Sequence, residues 1–136
     1  MAKKEENPST DDAVIQMLLD LSDEGGIEIG ITLNMNGTVV AGKLISPQRY
    51  YEGLILSADS VSDTTMAQIL HKKFSDLNES FLSERQEQEK DDKEMISTFI
   101  HLKDASYLSK SSDSLTHTQA WWRGRIDSID GFSITL

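Results

Sequence analysis

The clearest pattern in this chain is a strict alternation of apolar and polar residues just before its first Asn-Gly pair. Apolar side chains occupy every second position there: Ile27, Ile29, Ile31, Leu33 and Met35. Asn36-Gly37 follows, a strong hairpin signal because both residues accept positive φ. The pattern predicts a β-hairpin whose return strand ends near Ile45. A third strand, predicted from Tyr50 to Leu56, would complete a meander.

Two other stretches have apolar residues at helical spacing. The first follows a capping residue at Thr10 or Asp11, ends at Gly25-Gly26, and places these residues on one face: Val14, Met17, Leu18 and Leu21. The second follows a cap at Ser62 or Asp63 and carries a wider stripe: Met66, Ile69, Leu70, Phe74, Leu77 and Phe81. Such a stripe predicts an inserted amphipathic helix, at about residues 62–82, that packs on a sheet.

Residues 83–94 contain no apolar side chain and form either the solvated end of this helix or a flexible charged linker that buries nothing. Strands resume after Met95, with one at residues 99–105 and then a serine-rich connector at 109–114. A final hairpin is expected from Ala120 to Leu136, turning at Asp130-Gly131. The predicted fold class is α+β. We expect a disordered leader at residues 1–10 and a single domain at 11–136, with a strongly bent antiparallel sheet or small barrel of five to six strands.

Two similar segments support a bent sheet. Gly42-Lys43-Leu44-Ile45-Ser46 is echoed by Gly124-Arg125-Ile126-Asp127-Ser128 near the end of the chain. Glycine inside an alternating strand marks a bulge, a bend or a close backbone approach. The alternative is a chance likeness of two amphipathic strands.

Composition and charge exclude several classes of protein. The 136 residues include no cysteine, which removes disulfides, thiolate catalysis and cysteine-ligated zinc. The polar N-terminus is unlike a signal peptide, and no apolar run reaches the ~20 residues of a membrane span. The net charge is −10, and the acid excess lies in the first two-thirds of the chain. We therefore expect a soluble, cytoplasmic protein that binds neither nucleic acid nor membrane.

No residue pattern predicts catalysis. The histidines His71, His101 and His117 lack metal-ligand spacing, and Gly25-Gly26 stands in the wrong order for a phosphate loop. Carboxylate pairs such as Asp11-Asp12 and Asp91-Asp92 lie in segments expected to be solvated, which are unlike the desolvated sites of catalytic carboxylates. The sequence predicts no catalytic, cofactor-binding or metal-binding residue, and hence no enzyme.

Aromatic and basic side chains near the C-terminus instead predict a protein-contact surface. Trp121 and Trp122 are adjacent on a strand, so their rings point to opposite faces. One ring can enter the core, which leaves the other outside with Arg123 and Arg125, and Trp and Arg are enriched at binding hot spots. The alternative is that a helix covers the second ring. Tyr50-Tyr51 are weaker candidates for the same surface.

Several of these segments together resemble the gas vesicle accessory protein U family. The resemblance spans about residues 11–135, and its most specific part runs from Trp121-Trp122-Arg123-Gly124-Arg125 to Asp130-Gly131-Phe132-Ser133. It implies a cytoplasmic protein that acts on the assembly or organisation of gas vesicles without forming their shell. The partners implied are the shell or other gas vesicle proteins. It implies no catalytic residue and no cofactor.

Two further functions follow from the pattern of strands. Unprotected sheet edges allow self-association into a homo-oligomer. A helix followed by bent strands also resembles Sm-like small barrels, which assemble into rings and bind RNA. The acidity of the chain and the insertion at residues 62–94 weigh against the RNA-binding alternative.

Overall fold

The computed structural model describes residues 10–90, 97–108 and 117–136. It contains three helices, α1 (Ala13–Gly25), α2 (Pro47–Asp59) and α3 (Thr64–Lys90). Its five strands are β1 (Ile29–Met35), β2 (Thr38–Ile45), β3 (Phe99–Leu108), β4 (His117–Arg125) and β5 (Gly131–Thr135), with a short 3-10 turn at Ile126–Ser128. Most of the predicted leader, the end of the charged segment at residues 91–94, and the connector at 109–114 lie outside the described residues.

The five strands form one antiparallel sheet in the order β4-β3-β2-β1-β5. The α+β class is confirmed, with a sheet that is not closed into a barrel. The predicted final hairpin is wrong, because β4 pairs with β3 while β5 pairs with β1. The Asp130 amide donates to the Asn34 carbonyl, and the Asp130 carboxylate accepts from the Asn36 amide at 2.7 Å. These bonds fasten the start of β5 beside β1.

The β1–β2 hairpin forms as predicted, with Asn36 at φ 50° and Gly37 at φ 88°. The predicted irregularity at Gly42 is present as a bulge on the facing strand. Ala41 pairs with Ser106 and Lys43 pairs with Lys103, so three steps along β3 lie opposite two steps along β2. Asp104, at φ 51°, lies in this bulge. A Cβ on Gly42 would lie 2.9 Å from the Lys103 carbonyl oxygen, so the two backbones approach too closely for a side chain.

The third strand predicted from Tyr50 to Leu56 is wrong, since these residues belong to α2. Ser46 caps this helix by accepting the Arg49 amide at 3.1 Å, and Pro47 occupies the first turn, where its missing N–H is harmless. Capping and packing therefore outweigh the β-propensity of the Tyr-Tyr and Leu-Ile-Leu runs.

The apolar core lies between α1 and one face of the sheet. The N-cap of α1 is Asp12, one residue after the predicted alternatives Thr10 and Asp11. Gly26 ends the helix at φ 63°, as predicted. The predicted packing face is only partly right. The helix buries Ile15, Leu18 and Ser22, which leaves three of the four predicted core residues exposed: Val14, Met17 and Leu21.

Helix α3 is longer and less buried than its sequence predicts. Asp63 caps it by accepting the Met66 amide at 3.0 Å, and the helix continues through the charged residues to Lys90. It packs mainly on α2, which in turn packs on β3 and β4. The predicted packing of α3 on the sheet is therefore wrong, because α2 occupies that position. No described helix is long and apolar enough to cross a membrane.

Candidate functional site

Trp121 is the residue that joins β4 to α2. Its ring Nε1 donates to the Ser57 hydroxyl at 3.0 Å, and the Arg49 guanidinium lies 5.4 Å from the ring centroid. An added Cβ on Gly53 would be 2.3 Å from ring carbons, so this glycine is where the helix accommodates the indole. The ring is half-buried by a helix that the sequence pattern did not predict.

Trp122 points to the other face of the sheet and packs against the core beside its register partner Leu102. Its ring lies over Gly124, where an added Cβ would come within 2.2 Å of the indole. Trp121 therefore packs on the α2 side of the sheet and Trp122 on the α1 side. Each ring lies against a glycine, which has no side chain to clash with it.

The two arginines of β4 keep exposed side chains on the Trp121 side of the strand. The Arg123 guanidinium carbon lies 4.0 Å from the Phe99 ring centroid, a cation–π distance. Arg125 is paired with Asp127 at 2.9 Å. No carboxylate of the described residues lies within ion-pair distance of Arg123.

The two tyrosines project from α2 into different contacts. The Tyr50 ring lies 4.7 Å from His101, and the Tyr51 ring lies 5.8 Å from Phe81 of α3. Burial raises the pKa of Tyr50 above its ordinary value of 10.0. Both residues thus tie α2 to its neighbours, and Tyr51 also reaches a surface cleft.

His101 is an imidazole whose burial the strand pattern does not predict. It is 3% exposed, it faces Arg123 in the β3–β4 register, and no group of the described residues bonds its Nε2. Burial, and secondarily the Arg123 charge, lower its pKa to about 3. Because general bases work best with a pKa near the operating pH, this imidazole is poorly suited to proton transfer at pH 7.

A cleft of about 390 Å³ opens between the three helices and the β3–β4 end of the sheet. Arg85 of α3 and Asp23 of α1 line this cleft and form a bidentate salt bridge, in which the guanidinium donates to both carboxylate oxygens at 2.6 and 2.7 Å. Their side chains are only 18% and 20% exposed. The expectation that the charged segment buries nothing is therefore wrong at Arg85. This long-range pair connects residues that no local pattern relates.

The described residues contain no group of three or more His, Asp or Glu side chains placed to hold a metal ion. The cleft joins an apolar wall to the His101 imidazole and to a rim of mixed charge, where Arg85 is paired with Asp23 and Arg123 and Glu84 also contribute. Of the six residues predicted to form a protein-contact surface, Tyr51 and Arg123 line the cleft, Arg125 is exposed and paired with Asp127, and the other three make packing contacts: Trp121, Trp122 and Tyr50. Their role in contact stays a prediction.

The chain was compared with known proteins and protein families. A search of curated proteins and a search of solved structures returned no match. The family model described as Gas vesicle protein GvpU-like matches residues 12–136, nearly the whole chain and including both β4 and the cleft. The resemblance found in the sequence is confirmed, and the chain belongs to the GvpU-like family of gas vesicle proteins.

Proposed function

We propose that this protein is a non-catalytic accessory protein of gas vesicles. In this proposal it works in the cytoplasm, binds the vesicle shell or other gas vesicle proteins, and influences vesicle assembly or clustering through its own oligomers. The family match over residues 12–136 carries the proposal. A net charge of −10 and 38% hydrophobic content support an accessory role, because shell-forming proteins are small and strongly apolar.

The proposed vesicle-binding surface is the outer side of β4 with the rim of the cleft. Arg123 supplies a charge with no carboxylate partner among the described residues, and Phe99 and Tyr51 supply aromatic area nearby. Aromatic and arginine side chains together are typical of binding hot spots. Trp121 contributes indirectly, by holding α2 in place beside this surface.

Flotation tests this binding. Purified protein mixed with intact gas vesicles is expected to rise with them. Arg123→Ala should raise the Kd from a flotation titration at least about fivefold, the ~1 kcal/mol of a modest interface contact. Lys90→Ala removes an equal charge at the end of α3 and should bind like the wild type. Protein that stays in the liquid below the vesicles would contradict the proposal, and equal binding by both variants would move the surface elsewhere.

Self-association is expected to strengthen with ionic strength. The edge strands β4 and β5 each carry one side without a partner strand in the described sheet, and such edges can pair between copies. The −10 charge opposes that approach until salt shortens the screening length to about 10 Å at 0.1 M. Sedimentation at tens of micromolar should show larger species as salt rises. A monomer at every salt concentration would rule this out.

The second candidate is an Sm-like ring protein that binds RNA. An N-terminal helix followed by a five-stranded sheet with β4 and β5 at its two edges favours it, because one edge could meet the other in a closed ring. The acidic charge opposes RNA binding. Filter binding at low salt separates the candidates: tight retention of an oligonucleotide would favour the ring protein, and no retention would favour the accessory protein.

A further inference from the structure

The cleft between the three helices and the β3–β4 end of the sheet has an apolar wall. Tyr51 of α2 and Phe81 of α3 meet there with 5.8 Å between their ring centroids, and Leu19 and Phe99 line the same cleft. Its volume of about 390 Å³ lies within the ~300–1,000 Å³ that is usual for small-molecule sites. The cleft therefore has the size and the wall to hold the apolar part of a ligand.

Arg123 is the cleft cation whose charge no carboxylate compensates in the described part of the chain. The other arginine of the cleft, Arg85, donates to both oxygens of Asp23 and also lies 3.7 Å from Glu89. Arg123 instead lies over the Phe99 ring, at 4.0 Å from its centroid. A negatively charged group of a ligand should therefore bind at Arg123 and not at Arg85.

His101 adds a second polar group beside Arg123. The two residues are partners in the β3–β4 register, and His101 lines the cleft although it is almost completely buried. Its Nε2 has no hydrogen-bond partner among the described residues, and buried polar atoms without a partner are rare in native proteins. A neutral imidazole can carry its proton on Nε2 and donate it. One carboxylate has oxygens enough to accept from both His101 and Arg123.

We propose that this cleft binds a carboxylate carried on an apolar body. The carboxylate lies between Arg123 and His101, and the apolar body packs against Tyr51, Phe81 and Phe99. Arginine is the natural anchor, because its planar guanidinium can form two parallel hydrogen bonds with a carboxylate. Two sources present this chemistry: a small free acid, and the C-terminal residue of a protein when that residue is apolar. The binding of such a ligand does not depend on the vesicle binding proposed above.

Contact with Nε2 requires a neighbouring side chain to move, because the atom is buried. The Tyr50 ring lies 4.7 Å from the imidazole and belongs to the packed helix α2. Arg123 is exposed, and a cation–π contact at an exposed site is weak. We therefore expect Arg123 to turn from Phe99 to the carboxylate and so to open the way to His101. Arg123 is then the first contact of the ligand and His101 the second.

Two acids also line the cleft, and both bear on where the carboxylate lies. Asp23 is compensated by its salt bridge to Arg85. Glu84 belongs to α3 and is exposed, so water and salt weaken its repulsion of an anion. The carboxylate is therefore expected at the β3–β4 wall of the cleft, and the apolar body toward the helices.

Isothermal titration of the full chain with octanoate tests this site. Octanoate should bind saturably, with one molecule per chain. Octanol, which has the same hydrocarbon chain without the charge, and octylamine, which carries the opposite charge, should bind at least about tenfold more weakly. Arg123→Ala should raise the octanoate Kd at least about tenfold, and His101→Phe about threefold or more.

Arg125→Ala is the matched control for Arg123→Ala. It removes the same charge from the same strand, but Arg125 does not line the cleft and is paired with Asp127. This variant should bind octanoate like the wild type. Urea denaturation with and without octanoate shows that each variant folds, and octanoate should raise the midpoint of the wild type more than that of Arg123→Ala.

A short peptide with a free C-terminal leucine distinguishes the two sources of the ligand. Tighter binding than octanoate, lost when the peptide is amidated, would support a protein C-terminus. Weaker binding than octanoate would support a small free acid. Either result keeps the carboxylate at Arg123 and His101 as the feature that the cleft recognises.

Several results would overturn the site. One is the absence of saturable binding of both octanoate and the peptide. Octanol binding as tightly as octanoate would show that the apolar wall acts alone, and tighter binding of octylamine would show that Glu84 sets the charge preference. An octanoate Kd unchanged in Arg123→Ala and in His101→Phe would place the ligand elsewhere. Failure of the wild type to float with vesicles would remove the proposed function and leave this site standing.

Discussion

Acidification from pH 6.5 to pH 5 is expected to destabilise this protein through one buried side chain. The native His101 stays neutral down to about pH 3, whereas in the unfolded chain it takes up a proton below its ordinary pKa of 6.5. Between these pH values His101 binds a proton in the unfolded state but not in the native state. The free energy of unfolding therefore keeps its full His101 contribution above pH 6.5 and decreases as the pH falls below 6.5. The expected slope approaches ~1.4 kcal/mol per pH unit, or about 1–2 kcal/mol across this window.

His101→Phe should remove most of that slope. Phenylalanine keeps a ring against Tyr50, and the Nε2 that it removes has no partner among the described residues. Arg123→Ala should leave most of the slope in this window, because burial, the larger cause of the lowered pKa, remains and keeps the native imidazole neutral. Urea denaturation at pH 6.5, 5.75 and 5 measures all three proteins. The same slope in His101→Phe as in the wild type would show that another group is responsible.

Gly53→Ala is expected to lower the free energy of unfolding by up to about 2 kcal/mol, although alanine is the better helix former. The added methyl would stand 2.3 Å from the Trp121 ring, and that ring is fixed by its bond to Ser57. Overpacking costs ~1–3 kcal/mol, against which helix propensity returns roughly 1 kcal/mol. The Trp121 side chain must move, so the helix α2 should loosen together with the surface beside it.

A double-mutant cycle isolates this contact. Trp121→Leu removes the ring, so adding Gly53→Ala to it should cost little or even stabilise the helix. Gly131→Ala provides a matched control, since its added methyl would have only the Asn34 amide at 3.9 Å for a neighbour. Chemical denaturation gives each free energy. Additive costs at positions 53 and 121 would show that the glycine is not required by the indole.

Local signals predicted the parts of the fold that depend on local chemistry. Asn36-Gly37, Gly26 and Asp63 act through backbone conformation and capping within a few residues, and each forms its predicted structure. The strand predicted from Tyr50 to Leu56 is a helix instead, because the Ser46 cap and Pro47 start α2 and outweigh the strand propensity of the residues that follow. Asp130-Gly131 has the composition of a hairpin turn, but its bonds reach Asn34 and Asn36, which are distant in sequence.

The candidate site could be predicted only in part for the same reason. Trp121 and Arg123 stand out by residue type alone, and alternation correctly separates the two tryptophan faces. His101 and the Arg85–Asp23 pair were missed because their burial depends on how α2 and α3 pack, and no local pattern encodes that packing. Helix α1 shows the limit most clearly. Its apolar arc is wider than the sheet can bury, and sequence periodicity does not say which part stays exposed.

The most direct test of the account is made on vesicles from cells that produce this protein. Vesicles isolated by flotation and washed at moderate salt should carry the protein, and the same preparation from cells lacking the shell proteins should leave it in the lower fraction. Vesicles from cells that make Arg123→Ala should retain less of it. Vesicles that float free of the wild-type protein would contradict its role as an accessory that acts on them.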